Sequence, residues 1–274
     1  MRLRMFSVAL GASVVILTFL FVAPALAFAA AAPVASDGPA GPAIAPHLWA
    51  GSASSLNWAG YAVTAAAGSV SDVRGSWTVP AIQGTCPATN QYSSFWVGID
   101  GYSSSTVEQT GTDSDCRSGA PAYYAWYEFY PKPSRVISSL AIHPGDVMSA
   151  EVYYAGGRFT VTILDTTTGA SFSASAKVNA AQRSSAEWIA EAPSSLGGIL
   201  PLADFGTVSF GADTTGVALT CDATVGGVAG AIGSFGSSVQ SISMVTSGGA
   251  TKAQPSALSA DGTSFSVTWV SSGP

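Results

Sequence analysis

The chain is poor in charge of either sign. Only 10 of its 274 residues are Lys or Arg and 16 are Asp or Glu, a charged fraction of 9% and a net charge of -6. With no basic patch to neutralise phosphates, no nucleic-acid partner is expected. So few carboxylates leave few native ion pairs to lose when acid protonates them, which fits work at low pH. Histidine is scarcer still. His47 lies in an Ala/Pro-rich stretch and His143 in the turn His143-Pro144-Gly145-Asp146. A Ser-His-Asp triad would have to use one of them, and no G-x-S-x-G elbow occurs. No H-E-x-x-H or comparable ligand spacing points to zinc, and no metal or cofactor is expected. The Asp-Thr-Gly signature of paired-aspartate proteases is missing too. Asp165-Thr166-Thr167-Thr168-Gly169 and Asp213-Thr214-Thr215-Gly216 carry extra residues and read as turns. Any catalysis must therefore come from carboxylates, amides, hydroxyls or aromatics.

Long apolar runs are confined to the start. Arg2 and Arg4 precede an apolar stretch from about Met5 to Ala23, followed by Ala25-Leu26-Ala27, an A-x-A cleavage pattern. Residues 1–27 read as a signal peptide and the protein as secreted, with a retained N-terminal membrane anchor as the alternative. Every later apolar run is broken by Gly, Ser or charge, so no membrane contact is expected after cleavage. Residues 28–54 are Ala, Pro and Gly with little that could form a core, and read as a linker or short pro-segment. Residues 55–274 suffice for one large domain with a full core, a monomer being the simplest state. Cysteines number three, Cys86, Cys116 and Cys221. In an exported chain, Cys86 and Cys116 are expected to pair, a crosslink worth about 3–4 kcal/mol in the chain-entropy model, leaving Cys221 over.

Helical periodicity is nearly absent after the leader. Short alternating segments recur instead. Arg158-Phe159-Thr160-Val161-Thr162-Ile163 sends Phe, Val and Ile to one face, between turn signals at Gly156-Gly157 and Thr168-Gly169. Residues 136–142, 147–154, 172–178, 208–211, 239–245 and 264–270 read as strands in the same way, and Asp261-Gly262 marks a turn before the last. Many short strands with Gly-rich turns and no intervening helices predict an all-β antiparallel sandwich.

Two short segments carry the chemistry. In Ser185-Ala186-Glu187-Trp188-Ile189-Ala190-Glu191, alternation puts Glu187 and Ile189 on one face and Ala186, Trp188 and Ala190 on the other. A Glu on an apolar face is costly unless hydrogen-bonded. By itself the pattern reads as an edge-strand Glu facing solvent, and Gln109 in Val107-Glu108-Gln109-Thr110-Gly111-Thr112-Asp113 as a surface Gln.

Co-occurrence changes that reading. Leu56-Asn57-Trp58-Ala59-Gly60-Tyr61, Gly75-Ser76-Trp77-Thr78-Val79-Pro80, Ser94-Phe95-Trp96-Val97-Gly98-Ile99-Asp100-Gly101, the Gln109 segment, Trp126-Tyr127-Glu128-Phe129-Tyr130-Pro131, the Glu187 segment and Ala203-Asp204-Phe205-Gly206-Thr207-Val208 stand in one order along the chain. Together they resemble the glutamic peptidases, or eqolisins. The resemblance implies a β-sandwich of two large curved antiparallel sheets with a substrate cleft on the concave face, and a pepstatin-insensitive acid endopeptidase acting on proteins or peptides. Its catalytic pair falls on Gln109 and Glu187. Trp58 and Trp96 match cleft-lining positions, with core packing as the bland alternative. Asp100, Asp113 and Glu128 match acidic positions near the site; Asp113 could instead cap a turn and Glu128 face solvent. Gly98, Gly101 and Gly111 suit turns or close backbone approach. The family's fungal members carry a longer pro-region than residues 28–54. A concanavalin-like glycan-binding protein or a glycosidase pairing Glu187 with Glu128 or Asp100 is the main rival, and an inactive adhesin a third reading.

Overall fold

The computed structural model describes residues 54–195 and 197–273. The expected leader, and all of the 28–54 segment except Ser54, lie outside the described residues. In chain order the strands are β1 Ser54–Ser55, β2 Trp58–Thr64, β3 Val70–Thr78, β4 Ser94–Ile99, β5 Glu108–Arg117, β6 Ala120–Phe129, β7 Arg135–Val136, β8 Val147–Ala155, β9 Arg158–Asp165 and β10 Ser171–Ala176. They continue as β11 Ser185–Glu191, β12 Ser194–Ser195, β13 Gly198–Ile199, β14 Thr207–Gly211, β15 Asp222–Val225, β16 Val228–Ala231, β17 Val239–Val245, β18 Thr251–Pro255 and β19 Ser264–Trp269. One short helix, Ala212–Thr215, and a 3-10 segment, Ile232–Ser238, interrupt them.

Two layers result. One sheet runs β17-β2-β11-β4-β5-β6-β7, antiparallel throughout. The other runs β10-β9-β8-β3, then through β14, β19 and β18 back to β17, with the β15–β16 hairpin also on β3. Strand β17 thus belongs to both: its first half pairs with β2 and its end with β18. The expected antiparallel sandwich is what forms.

Alternation explains why the layers stack. Phe95, Val97 and Ile99 of β4 and Ala186, Trp188 and Ala190 of β11 face Val152, Val161 and Ile163 of β8 and β9 in one buried core. Each large apolar side chain contributes about 1.5–3 kcal/mol by leaving water. The two indoles that cross the layers are satisfied there: Trp188 Nε1 donates to the Arg74 carbonyl at 2.7 Å and Trp77 Nε1 to Thr112 Oγ1 at 2.9 Å.

The expected strand at residues 136–142 is a correction, because only Arg135–Val136 is extended. Ile137, Leu140 and Ile142 are buried as anticipated. However, Leu140 N–H bonds back to the Ile137 carbonyl within the segment rather than across a ladder. Apolar residues at 137, 140 and 142 follow a turn, not a two-residue repeat.

Cys86 and Cys116 are joined, and Cys221 is free and buried. Thiol titration of denatured, unreduced protein should find one thiol per chain; three would contradict the bond.

Candidate active site

The second face of the β17-containing sheet, turned away from the shared core, carries the polar residues. Direct register places Gln240, Ala62, Glu187, Gly98, Gln109 and Glu128 in one row across β17, β2, β11, β4, β5 and β6. Residues paired directly across strands project to the same side. Glu187 and Gln109 therefore share a face and stand two strands apart, about 9.5 Å between backbones. The strand between them presents Gly98. A methyl there would come within 2.9 Å of Trp96 Cζ3 and 3.2 Å of Gln109 Cβ. Only glycine leaves both side chains free to lean together.

Burial is complete. Glu187 is 0% exposed, Gln109 1% and Glu128 1%. β11 is a central strand between β2 and β4, so the edge-strand, solvent-facing reading of Glu187 does not hold. The surface reading of Gln109 and the solvent reading of Glu128 fail for the same reason. Gln109 Nε2 donates to Glu128 Oε2 at 2.7 Å, which turns Oε1 away from Glu128. Among the described residues, Gln109 Oε1 and both Glu187 carboxyl oxygens have no hydrogen-bond partner. Burial pushes the Glu187 carboxyl well above the usual carboxylate range, and the nearby Ser185 hydroxyl and Tyr102 backbone, which approach without completing a hydrogen bond to it, offset only part of that. Burial likewise raises Glu128 to about 8, with the Gln109 amide pulling it down.

The next rows along this face are aromatic. Trp96 follows Gly98 toward the strand start, and Trp58 stands opposite Glu191. The two indoles meet edge to face, centroids 5.0 Å apart at 77°. Both are buried in a second apolar cluster with Trp126, Ile189 and Ile242, on the Glu187 side rather than in the inter-sheet core.

Residues 56–257 match the Peptidase A4 family. The chain belongs to that family, the glutamic peptidases. Aspergillopepsin-2 of Aspergillus niger is 32% identical over 195 residues, 63% of this chain and 67% of that protein. An aspergilloglutamic peptidase structure from Aspergillus niger superposes with a TM-score of 0.56 at 29% identity, covering 66% of this chain and 99% of that one. A scytalido-glutamic peptidase crystallised with a transition state analog inhibitor gives 0.64 at 24% identity over 78% and 98%, which bears on the fold.

The remaining sequence candidates of this glutamic peptidase are placed unevenly. Asp100 takes a left-handed backbone, φ 72°, just past β4. Its carboxylate turns into the loop before β11: Oδ2 accepts from the Gln182 and Arg183 N–H groups, each at 2.7 Å, and Oδ1 from Ser184 N–H at 2.9 Å. It thus sets where the strand bearing Glu187 begins. Asp113 lies mid-strand in β5, buried, on the Gln109 side but four residues away, about 13 Å. It does not cap a turn.

Among the buried acids that the sequence pattern does not single out, Glu191 and Glu108 bear on the site. Glu191 Oε2 accepts from Trp96 Nε1 at 2.8 Å and Oε1 from Asn57 Nδ2 at 2.9 Å, so one carboxyl orients the aromatic wall. Its four-residue spacing from Glu187 places both on one strand face, a signal that was available. Glu108, beside Gln109 but on the opposite face in register with Ile99 and Phe129, is fully buried with both oxygens unpartnered among the described residues. Burial pushes it to about 9, helped by the charge of Asp100. A polar residue at a strand start gives no hint of that.

Proposed function

We propose that this glutamic peptidase is a secreted, monomeric acid endopeptidase in which Glu187 and Gln109 form the catalytic pair. The observation that carries the reading is the row Glu187–Gly98–Gln109, a carboxyl and an amide on one face with three unpartnered acceptor oxygens between them. Amide hydrolysis needs a water activated on one side and a donor for the developing oxyanion on the other. Glu187, ionised, takes the water proton and returns it to the leaving amine. Gln109 Oε1 holds the water, and the amide hydrogen not given to Glu128 stabilises the oxyanion. A water bonded to Glu187 also supplies the donor that its buried carboxyl lacks, favouring the ionised form. Glu128 orients Gln109, Asp100 positions the Glu187 strand, and Trp58 with Trp96, the latter held by Glu191, forms an aromatic wall for an extended peptide. The eqolisin SCP-B, 25% identical with a TM-score of 0.61 over 78% of this chain and 98% of its own, was crystallised with the tripeptide Ala-Ile-His, which supports a peptide substrate.

The glycosidase reading would pair Glu187 with Glu128. Gln109 stands between them and is bonded to Glu128, so the amide, not a second carboxyl, is Glu187's neighbour in the row. The test is digestion of casein by the full chain at each unit from pH 3 to pH 7, with and without pepstatin. Cleavage on the acid side unaffected by pepstatin is expected. No cleavage at any pH, or inhibition by an agent built for paired aspartates, would overturn the assignment.

A further inference from the structure

Further along the same face lies a cluster whose protons do not balance if every acid in it is ionised. Asp113 and Asp115 project from β5 on the Gln109 side, and Tyr124 stands opposite Asp113 on β6. Three groups crowd Tyr124 Oη: Asp113 Oδ2 at 2.6 Å, Asp115 Oδ2 at 2.8 Å and Arg117 Nη2 at 2.7 Å. The guanidinium donates. The phenol has one proton, and at such distances it goes to a single carboxylate. The other oxygen–oxygen contact would then bring two bare acceptors together. It is stable only if the second carboxyl carries a proton of its own.

The surroundings say which one does. Asp115 Oδ2 also accepts from Arg117 Nε at 3.0 Å, and its Oδ1 from Ser93 N–H at 3.1 Å. That is a cation and a backbone donor on one group, a setting for an anion. Asp113 Oδ1 accepts from Ser94 Oγ–H at 2.6 Å, and its other oxygen meets the phenol. Asp113 is fully buried; its bonds come from Ser94 and Tyr124, with the Trp126 side chain a weaker neighbour, and none of these is a cation. Its proton fits on Oδ2, pointing at Tyr124 Oη, with the phenol proton passed on to Asp115.

The charged and titratable groups around Asp113 are few. Its own strand brings Asp115 and Arg117. β4 brings the uncharged Ser94, across which Glu191 of β11 stands in register. β6 brings Tyr124, and Tyr92 lies under Arg117 at 5.5 Å. Burial and the charge of Asp115 hold Asp113 well above the usual carboxylate range, and Asp115 itself sits at about 6.

We infer that Asp113 is a positioning residue that works as a neutral acid, its retained proton locking β5, the strand that carries Gln109, to β4 and β6. When the proton leaves, two carboxylates face one phenol oxygen and the lock opens. The effect on turnover rests on the proposed role of Gln109; the proton count does not.

The test uses the full chain labelled with ¹³C at Asp carboxyl carbons, each assigned through its own backbone. The Asp113 carboxyl should keep the shift of a protonated acid at pH 7 while that of Asp115 is ionised. An ionised Asp113 in the folded protein at pH 7 would overturn the inference without any variant. Asp113→Asn places an amide N–H on Tyr124 Oη and a carbonyl under Ser94, so the bonds persist at every pH. Its alkaline limb of activity and its alkaline unfolding midpoint should both move up, by about one pH unit. Asp113→Ala should move both down. Midpoints for Asp113→Asn equal to those of the unaltered chain would also overturn the inference. A protonated Asp113 signal in a chain with no peptidase activity at any pH would uphold the proton count and remove the role given to Gln109.

Discussion

Glu187→Gln should abolish peptide hydrolysis, with kcat falling by at least about 10²–10⁴ as the general base is removed. The substitution keeps the shape of the side chain and replaces a carboxyl that burial already disfavours in its charged form, so the variant should fold at least as well as the parent. A folded, inactive protein is therefore the expected outcome, read by kcat and KM on one fluorogenic peptide with circular dichroism as the control. Gln109→Ala should cost about 10²–10³ in kcat through the lost oxyanion donor. In the same assay, the ascending acid limb of kcat/KM should sit above pH 4.3, the ordinary Glu value, because burial moves Glu187 upward. Turnover near the parent level in Glu187→Gln would end the assignment.

Stability should fall steeply as pH rises from 4 to 8. The acids responsible have folded values above their unfolded ones: Asp115 about 6, Asp72 about 7, Glu128 about 8 and Glu108 about 9. Below about pH 3 these groups are protonated in both states and cost nothing. Above it the unfolded chain ionises while the fold must stay protonated, so stability is lost until each folded value is passed. Glu108 and Glu128 are each expected to remove about 3–5 kcal/mol by pH 8, against a typical total of about 5–15 kcal/mol. Urea midpoints measured at each pH unit check this. Glu108→Leu should flatten the curve, since it removes the unpaired carboxyl and leaves an apolar side chain between Ile99 and Phe129. A flat profile in the unaltered chain would show that these carboxyls are better solvated than their burial implies. On this account acid preference arises from the fold's tolerance, because Glu187 as the general base sets only the ascending limb and gains activity as pH rises.

Much of this was legible in the chain. Alternation in the Glu187 segment placed Glu187 and Ile189 together and Trp188 opposite, which is how β11 sits between its neighbours. The ordered set of short segments pointed to the family, because each marks a strand whose register the site requires. What stayed hidden depends on pairing across strands. Nothing near Gly98 in sequence says that it separates Glu187 from Gln109. Nothing near Tyr124 says that two aspartates share its oxygen, since that follows only when β5 and β6 are aligned. Residues 136–142 misled for a related reason: their apolar side chains are buried, but by a turn that keeps one bond to β6, Ile137 N–H to the Ala125 carbonyl, and then folds back on itself.

Strand β17 has a mechanical consequence. Because it begins in one sheet and ends in the other, a continuous backbone stitches the layers along one edge. The layers cannot slide past each other there without tearing those ladders, and parting them elsewhere would not expose the polar face, which points away from the shared core. Any widening that admits a polypeptide must therefore come from the loops bordering the aromatic wall, and deuterium uptake on adding peptide should change there while the β17 amides stay silent.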